Sequence, residues 1–475
     1  MEPENVTSGS QSALLSFTAE NARSYLNEVH LSLLAGRRSA DSPARPLATA
    51  GQPVRVLPAA GIFGANGSGK STLLKAMADL RRLVLESLRP GNRPDRSVLA
   101  VGSLHQPFEV VPRPQDLERM TPEELERFRQ LVRSTRYRID LLVDGVRWEY
   151  GLDVNPFIVE SEHAYHYPHG RQALVFRREH VADGSELRSS DIVFGASFRS
   201  SGQHLVPFVQ RNVLLLSAAA VGGFEPLGPL VGWFQENLEL SEPEDRRRRS
   251  VRAVELVEED RTRDQVMALL RAADLGLVAA ARDPVDPEFQ EIARRARRVW
   301  AGIDDELDAD GGEDSPLDDS IRLTHRGPWG DATLSRIDES MGTLTWVGLI
   351  GPVLDALRKG SVLLVDELDS SLHPYLVRDV VRLFQDPRTN PNMAQLIFNA
   401  HDVTLLGDSA DRSLGRDQVW ITEKTRDGVT TATPLSDYRP RYDEAIERRY
   451  MQGRYGGVPT INPAEYARAT EQIGA

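Results

Sequence analysis

The middle of the chain alternates apolar and polar positions, a period of two that predicts β-strands. Residues 135–143 follow this pattern, Asp144-Gly145 supplies a tight turn, and residues 146–154 return as a second strand. Residues 158–167 and 172–180 continue the series. We therefore predict an antiparallel β subdomain in this part of the chain.

Other segments are mainly apolar, as expected for strands that are buried on both faces. Residues 362–365, 394–400 and 418–422 are runs of this kind, and we predict that they are parallel. Residues 54–63 form another run, which ends in a glycine-rich turn. Residues 71–88 then repeat apolar side chains at the spacing of one helix face. This order of strand, glycine loop and helix is the strongest structural signal in the sequence.

The remaining segments are less regular. Residues 13–35 predict two short strands joined by a polar bend, and residues 39–53 are typical of a loop. Residues 236–319 are charged and predicted to be mostly helical, with one amphipathic helix face at 289–300 and an acidic loop at 304–319. Because no heptad pattern extends beyond a few turns, we expect no long coiled-coil arm.

The composition restricts the classes of function. The 475 residues include 57 Lys and Arg against 70 Asp and Glu, a net charge of −13, which disfavours a broad basic surface for nucleic acid. Cysteine is absent, which excludes disulfides, thiol nucleophiles and cysteine-ligated metals. The first ten residues do not resemble a signal peptide, and the apolar stretch 213–234 contains Glu225 and prolines. We therefore expect a cytoplasmic protein without a membrane partner.

One glycine-rich segment matches the phosphate-loop pattern G-x-x-x-x-G-K-[ST]. It comprises Gly64, Ala65, Asn66, Gly67, Ser68, Gly69, Lys70 and Ser71. The glycines allow backbone N–H groups to converge on phosphate, and Lys70 is expected to contact the β- and γ-phosphates. The hydroxyl of Ser71 is a predicted Mg²⁺ ligand, and Thr72 completes the predicted nucleotide-binding set. Because the chain has four lysines in all, a lysine at this position is informative.

Two carboxylates follow the apolar run 362–365 directly. We predict that Asp366 holds Mg²⁺ and that Glu367 polarises the attacking water as general base. His401 directly follows the run 394–400, where it is a candidate sensor of the γ-phosphate. The alternative interpretations are an ordinary acidic turn for Asp366 and Glu367 and a structural role for His401.

A small turn precedes these carboxylates by one predicted helix. Ser340, Gly342 and Thr343 belong to the sequence Ser-Met-Gly-Thr, whose hydroxyls and amides can bind an anion at a helix N-terminus. A simple helix cap is the alternative.

In this order, the phosphate loop, the Ser-Met-Gly-Thr turn, Asp366-Glu367 and His401 resemble an ABC-type ATPase head. The resemblance is to the group containing the OLD, RecF and SMC-like proteins. It implies an α/β fold, namely an ABC-type P-loop NTPase head with an antiparallel β subdomain and an inserted helical subdomain. It also implies that the turn of one subunit closes on ATP and Mg²⁺ bound by the other, which gives an ATP-dependent homodimer or a larger oligomer.

Further segments resemble the stand-alone AAA/ABC-type ATPases of the RloA and abortive-infection kind. They are 17–34, 106–108, 366–374, 399–402 and 454–459. The resemblance implies association with antiphage defence and a separately encoded Toprim-type or RloB-like nuclease as partner. It makes Gln106 a candidate ligand of Mg²⁺ and nucleotide, and Arg23 a candidate for approaching the nucleotide. The tail 454–459 has no chemical assignment from the sequence.

On this basis the chain divides into four predicted parts. Residues 1–110 are the first ATPase lobe, and 111–235 are the antiparallel β subdomain with its return to the core. Residues 236–330 are the helical insertion, and 331–475 are the second ATPase lobe.

The resemblance has two departures. His373 stands where transporter heads carry an aspartate, and the 74 residues after His401 are too few for a Toprim domain.

The resulting hypothesis is an ATP-hydrolysing switch that controls a partner nuclease. The alternative is a DNA-maintenance ATPase of the RecF or SMC-like type, which clamps DNA without a nuclease. The run Arg246–Arg249 could contact phosphate backbone, but flanking acidic residues favour a solvated helix face.

Overall fold

The chain forms two compact units. The computed structural model describes residues 12–36, 43–88, 119–121, 123–124, 127, 132–155, 157–179, 191–273, 275–282, 321–407, 413–441, 444–459 and 462–471. The first unit comprises Met1–Leu240, Gly360–Asp366 and Val381–Ala475. The second comprises Ser241–Lys359 and Glu367–Val380. One of the boundaries between the units therefore falls between the adjacent carboxylates Asp366 and Glu367.

A seven-stranded antiparallel sheet forms part of the first unit, in the order β10-β9-β8-β7-β6-β1-β2. Its strands are β1 (Ala13–Glu20), β2 (Val29–Ser32), β6 (Thr135–Val143), β7 (Val146–Val154), β8 (Val159–Tyr167), β9 (Ala173–Glu179) and β10 (Ile192–Phe194). Asp144 and Gly145, with φ of 52° and 75°, form the two-residue turn between β6 and β7. The strands and the turn predicted from the alternation are confirmed.

The second sheet of this unit has the order β11-β15-β16-β5-β17-β18. Its strands are β5 (Ala59–Gly64), β11 (Leu238–Ser241), β15 (Val362–Val365), β16 (Gln395–Asn399), β17 (Val419–Lys424) and β18 (Thr430–Pro434). β5 is parallel to both β16 and β17, and β15 is parallel to β16. The carboxyl ends of these four strands therefore point in one direction, which brings the phosphate loop and the residues after β15 and β16 to one edge.

Two details of the N-terminal prediction were wrong. The apolar run 54–63 is interrupted at Leu57-Pro58, and its first part is the short strand β4 (Val54–Val56). β4 pairs with β3 (Arg45–Leu47), which lies in the segment predicted as a loop. Local composition does not predict this pairing, because a three-residue strand has too few positions to show an alternation of apolar and polar residues.

Both units also contain helices. In the first unit they are α1 (Lys70–Glu86), α2 (Arg199–Gly202), α3 (Leu215–Gly222), α4 (Gly228–Glu236), α9 (Ile446–Met451) and α10 (Pro463–Glu471). In the second unit they are α5 (Arg246–Glu258), α6 (Arg263–Ala272) and α7 (Met341–Lys359). The helix α8 (Pro374–Gln385) begins in the second unit and ends in the first.

The second unit has one described strand, at 277–282, within the segment 236–319 that the sequence predicted to be mostly helical. It contains a three-stranded sheet, β12 (Leu277–Arg282), β13 (Ile321–His325) and β14 (Ala332–Ser335), in this order. β12 has the sequence Leu-Val-Ala-Ala-Ala-Arg, whose alanines favour a helix, so pairing with β13 overrides local propensity. The predicted helix at 289–300 and the acidic loop at 304–319 lie outside the described residues.

The predicted α/β class, a P-loop core with an antiparallel β subdomain and a helix-containing insertion, is confirmed. In the described part of the chain, no single helix is long and apolar enough to cross a membrane. The bent pair Leu215–Gly222 and Glu225–Glu236, with an angle of 119° between its helices, passes the same test of length and composition.

A buried ion pair connects the antiparallel sheet to α3. Glu162 and Arg178 are both fully buried, with 3.7 Å between the Arg178 guanidinium and the Glu162 carboxylate. The carboxylate also accepts hydrogen bonds from the backbone N–H of Leu215 (2.7 Å) and Leu216 (3.0 Å) at the start of α3, and from the Tyr150 hydroxyl. Burial raises the pKa of Glu162 and lowers that of Arg178 to about 10. The hydrogen bonds offset this cost of desolvation.

We predict that Glu162→Ala destabilises the protein by about 3–5 kcal/mol, because it leaves the Arg178 charge buried without its partner. Urea unfolding followed by circular dichroism measures the change. The control is Glu179→Ala, since the Arg177–Glu179 pair is 53% and 66% exposed. It is expected to cost less than about 1 kcal/mol. Equal losses in the two variants would contradict the importance of the buried pair.

Candidate functional site

The phosphate loop lies between β5 and α1, as the sequence predicted. Gly69 is the N-cap residue of α1 and has a φ of 100°, a conformation that favours glycine. Asn66 and Gly67 are exposed at the tip of the loop, whereas Ser68 is buried. The N-terminus of α1 therefore meets a loop of backbone amides, the arrangement that binds phosphate.

Lys70 and His401, predicted separately, lie together. The Lys70 ammonium donates hydrogen bonds to the carbonyl oxygens of Gly64 (2.9 Å) and Ala65 (3.1 Å). It lies 3.5 Å from Nδ1 of His401. The lysine is 5% exposed, and the histidine is exposed. This places a cation and an imidazole at the loop, where a terminal phosphate of a bound nucleotide would be neutralised.

Asp366 and Ser71 are connected by a residue whose role sequence reasoning missed. The Nδ2 atom of Asn399, the last residue of β16, donates to Oδ1 of Asp366 and to Oγ of Ser71 (3.4 Å). Carboxylate and hydroxyl oxygens are hard ligands of the kind that Mg²⁺ prefers. The carboxylate of Asp366 and the hydroxyl of Ser71 therefore have the chemistry expected of Mg²⁺ ligands. Asn399 orients both groups. Its position beside His401 at a strand end was the available signal.

Neighbouring side chains support the loop from one side. The Oγ of Ser68 is 2.7 Å from the Oγ1 of Thr422, which also donates to the carbonyl of Phe63. A Cβ on Gly64 would lie 2.3 Å from that Thr422 oxygen. Glycine is therefore required at the start of the loop because the end of β17 leaves no room for a side chain.

The N-terminal bend supports the other side of the loop. The Ser24 hydroxyl is 2.8 Å from that of Thr72 and accepts a hydrogen bond from Thr430. Tyr25 donates to the carbonyl of Gly69 (3.1 Å), and burial raises the pKa of this tyrosine well above its ordinary value. Thr72 thus has a packing role in addition to its predicted place in the nucleotide-binding set.

Arg23 forms an ion pair with the helix that follows the loop. Its guanidinium makes a bidentate contact with Asp79 of α1, at 2.6 and 2.8 Å. Asp79 is 3% exposed. This pair anchors the N-terminal bend to the helix, a structural role that differs from the predicted approach to the nucleotide.

The Ser-Met-Gly-Thr turn begins α7 in the second unit. The Oγ of Ser340 accepts from the backbone N–H of Thr343 (3.1 Å) and lies 2.8 Å from its hydroxyl. This is the helix cap that the sequence offered as an alternative. A Cβ on Gly342 would lie 2.9 Å from the carbonyl oxygen of Ser371. The glycine therefore allows the backbone after Glu367 to pack against the turn.

The residue before this turn is fixed by a histidine. The carboxylate of Glu339 lies 2.7 Å from Nε2 of His325 at the end of β13. The side chain of Glu339 is 2% exposed. The sequence did not predict this pair, because the two residues come from different elements and no motif relates them.

Glu367 occupies the turn that follows β15. It is exposed and has a φ of 53°, a strained conformation for a residue with a side chain. Its carbonyl accepts a hydrogen bond from the N–H of Ser370 (2.9 Å). Non-glycine residues held in such conformations are concentrated at functional sites. Gln106, the other candidate for contact with Mg²⁺ and nucleotide, lies outside the described residues.

Comparison with solved structures finds heads of SMC proteins. An SMC head bound to the C-winged helix domain of ScpA has a TM-score of 0.40 and 13% identity, over 88% of this chain and 96% of that chain. The SMC head domain from Thermotoga maritima has a TM-score of 0.36 and 13% identity, over 89% and 98%. The Smc head domain from Pyrococcus furiosus, bound to the C-terminal domain of ScpA, has a TM-score of 0.35 and 14% identity. The match covers 90% of this chain and 98% of that chain.

Sequence comparison identifies the family. No curated protein sequence matches the chain significantly. The family model described as "AAA domain, putative AbiEii toxin, Type IV TA system" matches residues 59–202 and 235–407, which is more than half of the chain. The match includes the phosphate loop, Asp366, Asn399 and His401. The chain therefore carries an AAA-type P-loop ATPase domain and belongs to the AAA family that this description names.

Proposed function

We propose that this protein binds and hydrolyses ATP and acts as a switch that closes into a dimer around the nucleotide. The observation that carries the proposal is the convergence of Lys70, Ser71, Asp366 and His401 at one strand edge, with Asn399 joining the two oxygen ligands. A phosphate loop alone can bind many anions. A loop with an adjacent oxygen donor set fits a nucleoside triphosphate with its Mg²⁺.

The residues have distinct roles in the proposed reaction. The loop amides and Lys70 bind and orient the phosphates, and Ser71 and Asp366 hold the Mg²⁺, which neutralises developing charge when bound. Glu367 takes the proton of the attacking water, whose oxygen forms the new bond to the γ-phosphorus as the bond to ADP breaks. Catalysis then rests on positioning and on charge neutralisation.

The proposed dimer places the Ser340 turn of one subunit on the ATP of the other. Exposed apolar side chains near the turn in sequence support such an interface. Trp329 is 98% exposed, Ile337 is 94% exposed and Met341 is 52% exposed. Exposed apolar side chains that form one continuous patch are typical of contact surfaces, and these three are the candidates for such a patch. A second copy of the chain would cover them when the turn meets its ATP.

We further propose that the switch controls a partner effector, a Toprim-type nuclease, in antiphage defence. The resemblance to RloA-like ATPases and the toxin named in the family description support this role.

A DNA-maintenance ATPase is the second candidate. In the run Arg246–Arg249, Arg249 folds back to donate to the carbonyl of Glu242 (2.6 Å), which reduces its availability for DNA. ATPase activity that DNA stimulates at physiological salt would favour the second candidate.

The direct test is phosphate release by the purified protein with ATP, in Mg²⁺ and in EDTA. We expect Mg²⁺-dependent turnover, accompanied by binding of a fluorescent ATP analogue. Tight binding without turnover would reduce the proposal to a nucleotide-binding switch. Failure to bind ATP at millimolar concentration would contradict it.

We predict that Asn399→Asp weakens the binding of Mg²⁺ at the site. The variant replaces a donor to Asp366 by a second carboxylate, whose charge repels that of Asp366. We expect the Mg²⁺ concentration at half-maximal ATPase activity to rise by about 10-fold or more, as for other residues that orient metal ligands. A magnesium titration measures it. Asn390→Asp is the control, because Asn390 is also buried but bonds to the backbone of Phe384 and Ala394. An unchanged titration for Asn399→Asp would contradict the proposed role.

A further inference from the structure

The C-terminal tail that sequence analysis left without a role packs against the phosphate loop. The tail is the segment 454–459, which begins shortly after the end of α9. Gly457 in this tail has a φ of 69°, and a Cβ built on it would lie 3.4 Å from the Cα of Gly64. The backbones of the two glycines are therefore neighbours, although they are far apart in the sequence. Gly64 is also the residue whose carbonyl holds the Lys70 ammonium.

The end of β17 lies between the tail and the loop. The Thr422 hydroxyl contacts Ser68 of the loop, and the next residue, Glu423, contacts the tail. The Glu423 carboxylate accepts a hydrogen bond from the N–H of Gly457 (3.2 Å). A Cβ on Gly456 would lie 2.2 Å from the same carboxylate. Two successive residues of one strand thus connect the tail to the loop.

Tyrosine side chains fix the tail in this position. The Tyr450 hydroxyl donates to the carbonyl of Gly457 (2.8 Å), and the Tyr455 hydroxyl donates to Glu444 (2.8 Å). Tyr455 is 4% exposed, and its ring centroid is 5.4 Å from that of Tyr438. Burial raises the pKa of Tyr450 and of Tyr455 to about 12. Both tyrosines therefore act as neutral hydrogen-bond donors at physiological pH.

We propose that the tail is a positioning element of the phosphate loop and sets the affinity of the loop for nucleotide, an inference that rests on the proposed function. Gly457 fixes the backbone of Gly64, and Gly64 in turn holds Lys70. Displacement of a site by a fraction of an ångström is enough to weaken binding. Because coupling of this kind is reciprocal, nucleotide bound to the loop also stabilises the tail.

The first test is Gly457→Ala in the full-length chain. Its Cβ would lie 2.7 Å from Cγ2 of Ile421 and 3.3 Å from the Tyr450 ring, so the tail must shift. We expect the Kd for a fluorescent ATP analogue to rise about 10-fold. The matched control is Gly428→Ala, which has a similar positive φ of 84° but no atom closer than 3.9 Å to the new Cβ. It carries the same backbone cost and is expected to leave the Kd within about 2-fold.

A second variant distinguishes positioning from a loss of folding. Tyr450→Phe removes the hydrogen bond to Gly457 and introduces no clash, so we expect a smaller rise in Kd in the same direction. Thermal unfolding of each variant is recorded alongside. A fall in the unfolding temperature with an unchanged Kd in both variants would overturn the proposal.

Hydrogen exchange of the wild-type protein supplies the reciprocal test. Peptides covering residues 454–459 are expected to exchange more slowly with Mg-ATP than without it, and Lys70→Ala is expected to abolish the difference. Unchanged exchange in a wild-type protein that binds ATP would overturn the role of the tail and leave the proposed function intact. Wild-type protein that binds no ATP would instead refute the proposed function.

Discussion

Replacing Lys70 by alanine is expected to abolish nucleotide binding, with a rise of at least about 100-fold in the Kd for an ATP analogue. The lysine is only 5% exposed, and its ammonium donates hydrogen bonds to the carbonyl oxygens of Gly64 and Ala65, which fix its position. The charge is therefore held at the loop before a nucleotide arrives, and little side-chain entropy is lost on binding. Charge-assisted hydrogen bonds to phosphate are also roughly twice as strong as neutral ones. Fluorescence anisotropy with Mg²⁺ measures the Kd.

The chain offers a matched control among its four lysines. Lys359 is exposed at the end of α7, and Lys359→Ala is expected to bind the ATP analogue as the wild type does. A thermal unfolding profile verifies that Lys70→Ala is folded. Binding by folded Lys70→Ala with wild-type affinity would contradict the assignment of the loop as the nucleotide site.

The part of the site that the sequence predicts best is the part that local patterns encode. The loop from Gly64 to Ser71 fixes its own conformation through glycine positions and the start of a helix. The runs that became β15 and β16 each end at a residue of the site, and parallel pairing with β5 brings these ends to one edge. Motif order and strand type were therefore sufficient to predict that Asp366 and His401 lie near Lys70.

The remaining contacts depend on pairings between distant segments. The Asn399 hydrogen bonds, the Thr422 contact with Ser68 and the packing of Gly457 on Gly64 each join parts of the chain that no local pattern relates. Arg23 is a second example. The resemblance suggested that Arg23 approaches the nucleotide, and it did not predict the bidentate contact that the side chain makes with buried Asp79. A motif predicts which residues matter more reliably than it predicts what each one touches.

The seven-stranded sheet shows how burial and polarity divide along the strands. In β7 the side chains of Trp148, Tyr150 and Leu152 are buried, while those of Arg147 and Glu149 are partly exposed. On this exposed face Arg147 pairs with Asp140 at 3.0 Å. The alternation in the sequence therefore predicted the sheet and its buried face, and the exposed arginine is neutralised within the sheet rather than presented to an anionic partner.

Replacing Glu367 by glutamine is expected to stop turnover while ATP still binds. Glutamine has nearly the same shape, so the strained backbone of this exposed turn is retained, but the amide cannot accept the proton of the attacking water. We expect the rate of phosphate release to fall about 100- to 10,000-fold, the usual contribution of a general base. Single-turnover phosphate release measures the rate.

The same variant tests whether ATP holds two subunits together. With hydrolysis blocked, the solution mass of Glu367→Gln by light scattering is expected to double when Mg-ATP is added. Adding Ser340→Asn to this variant is expected to prevent the rise. Asparagine still caps α7, as Ser340 does through the N–H of Thr343, but it is larger than the serine and fills the space that the partner's phosphate needs. A solution mass that remains that of a monomer after Mg-ATP is added would contradict the shared active site. An oligomer of constant mass would contradict ATP-driven association and would place the switch within a permanent assembly.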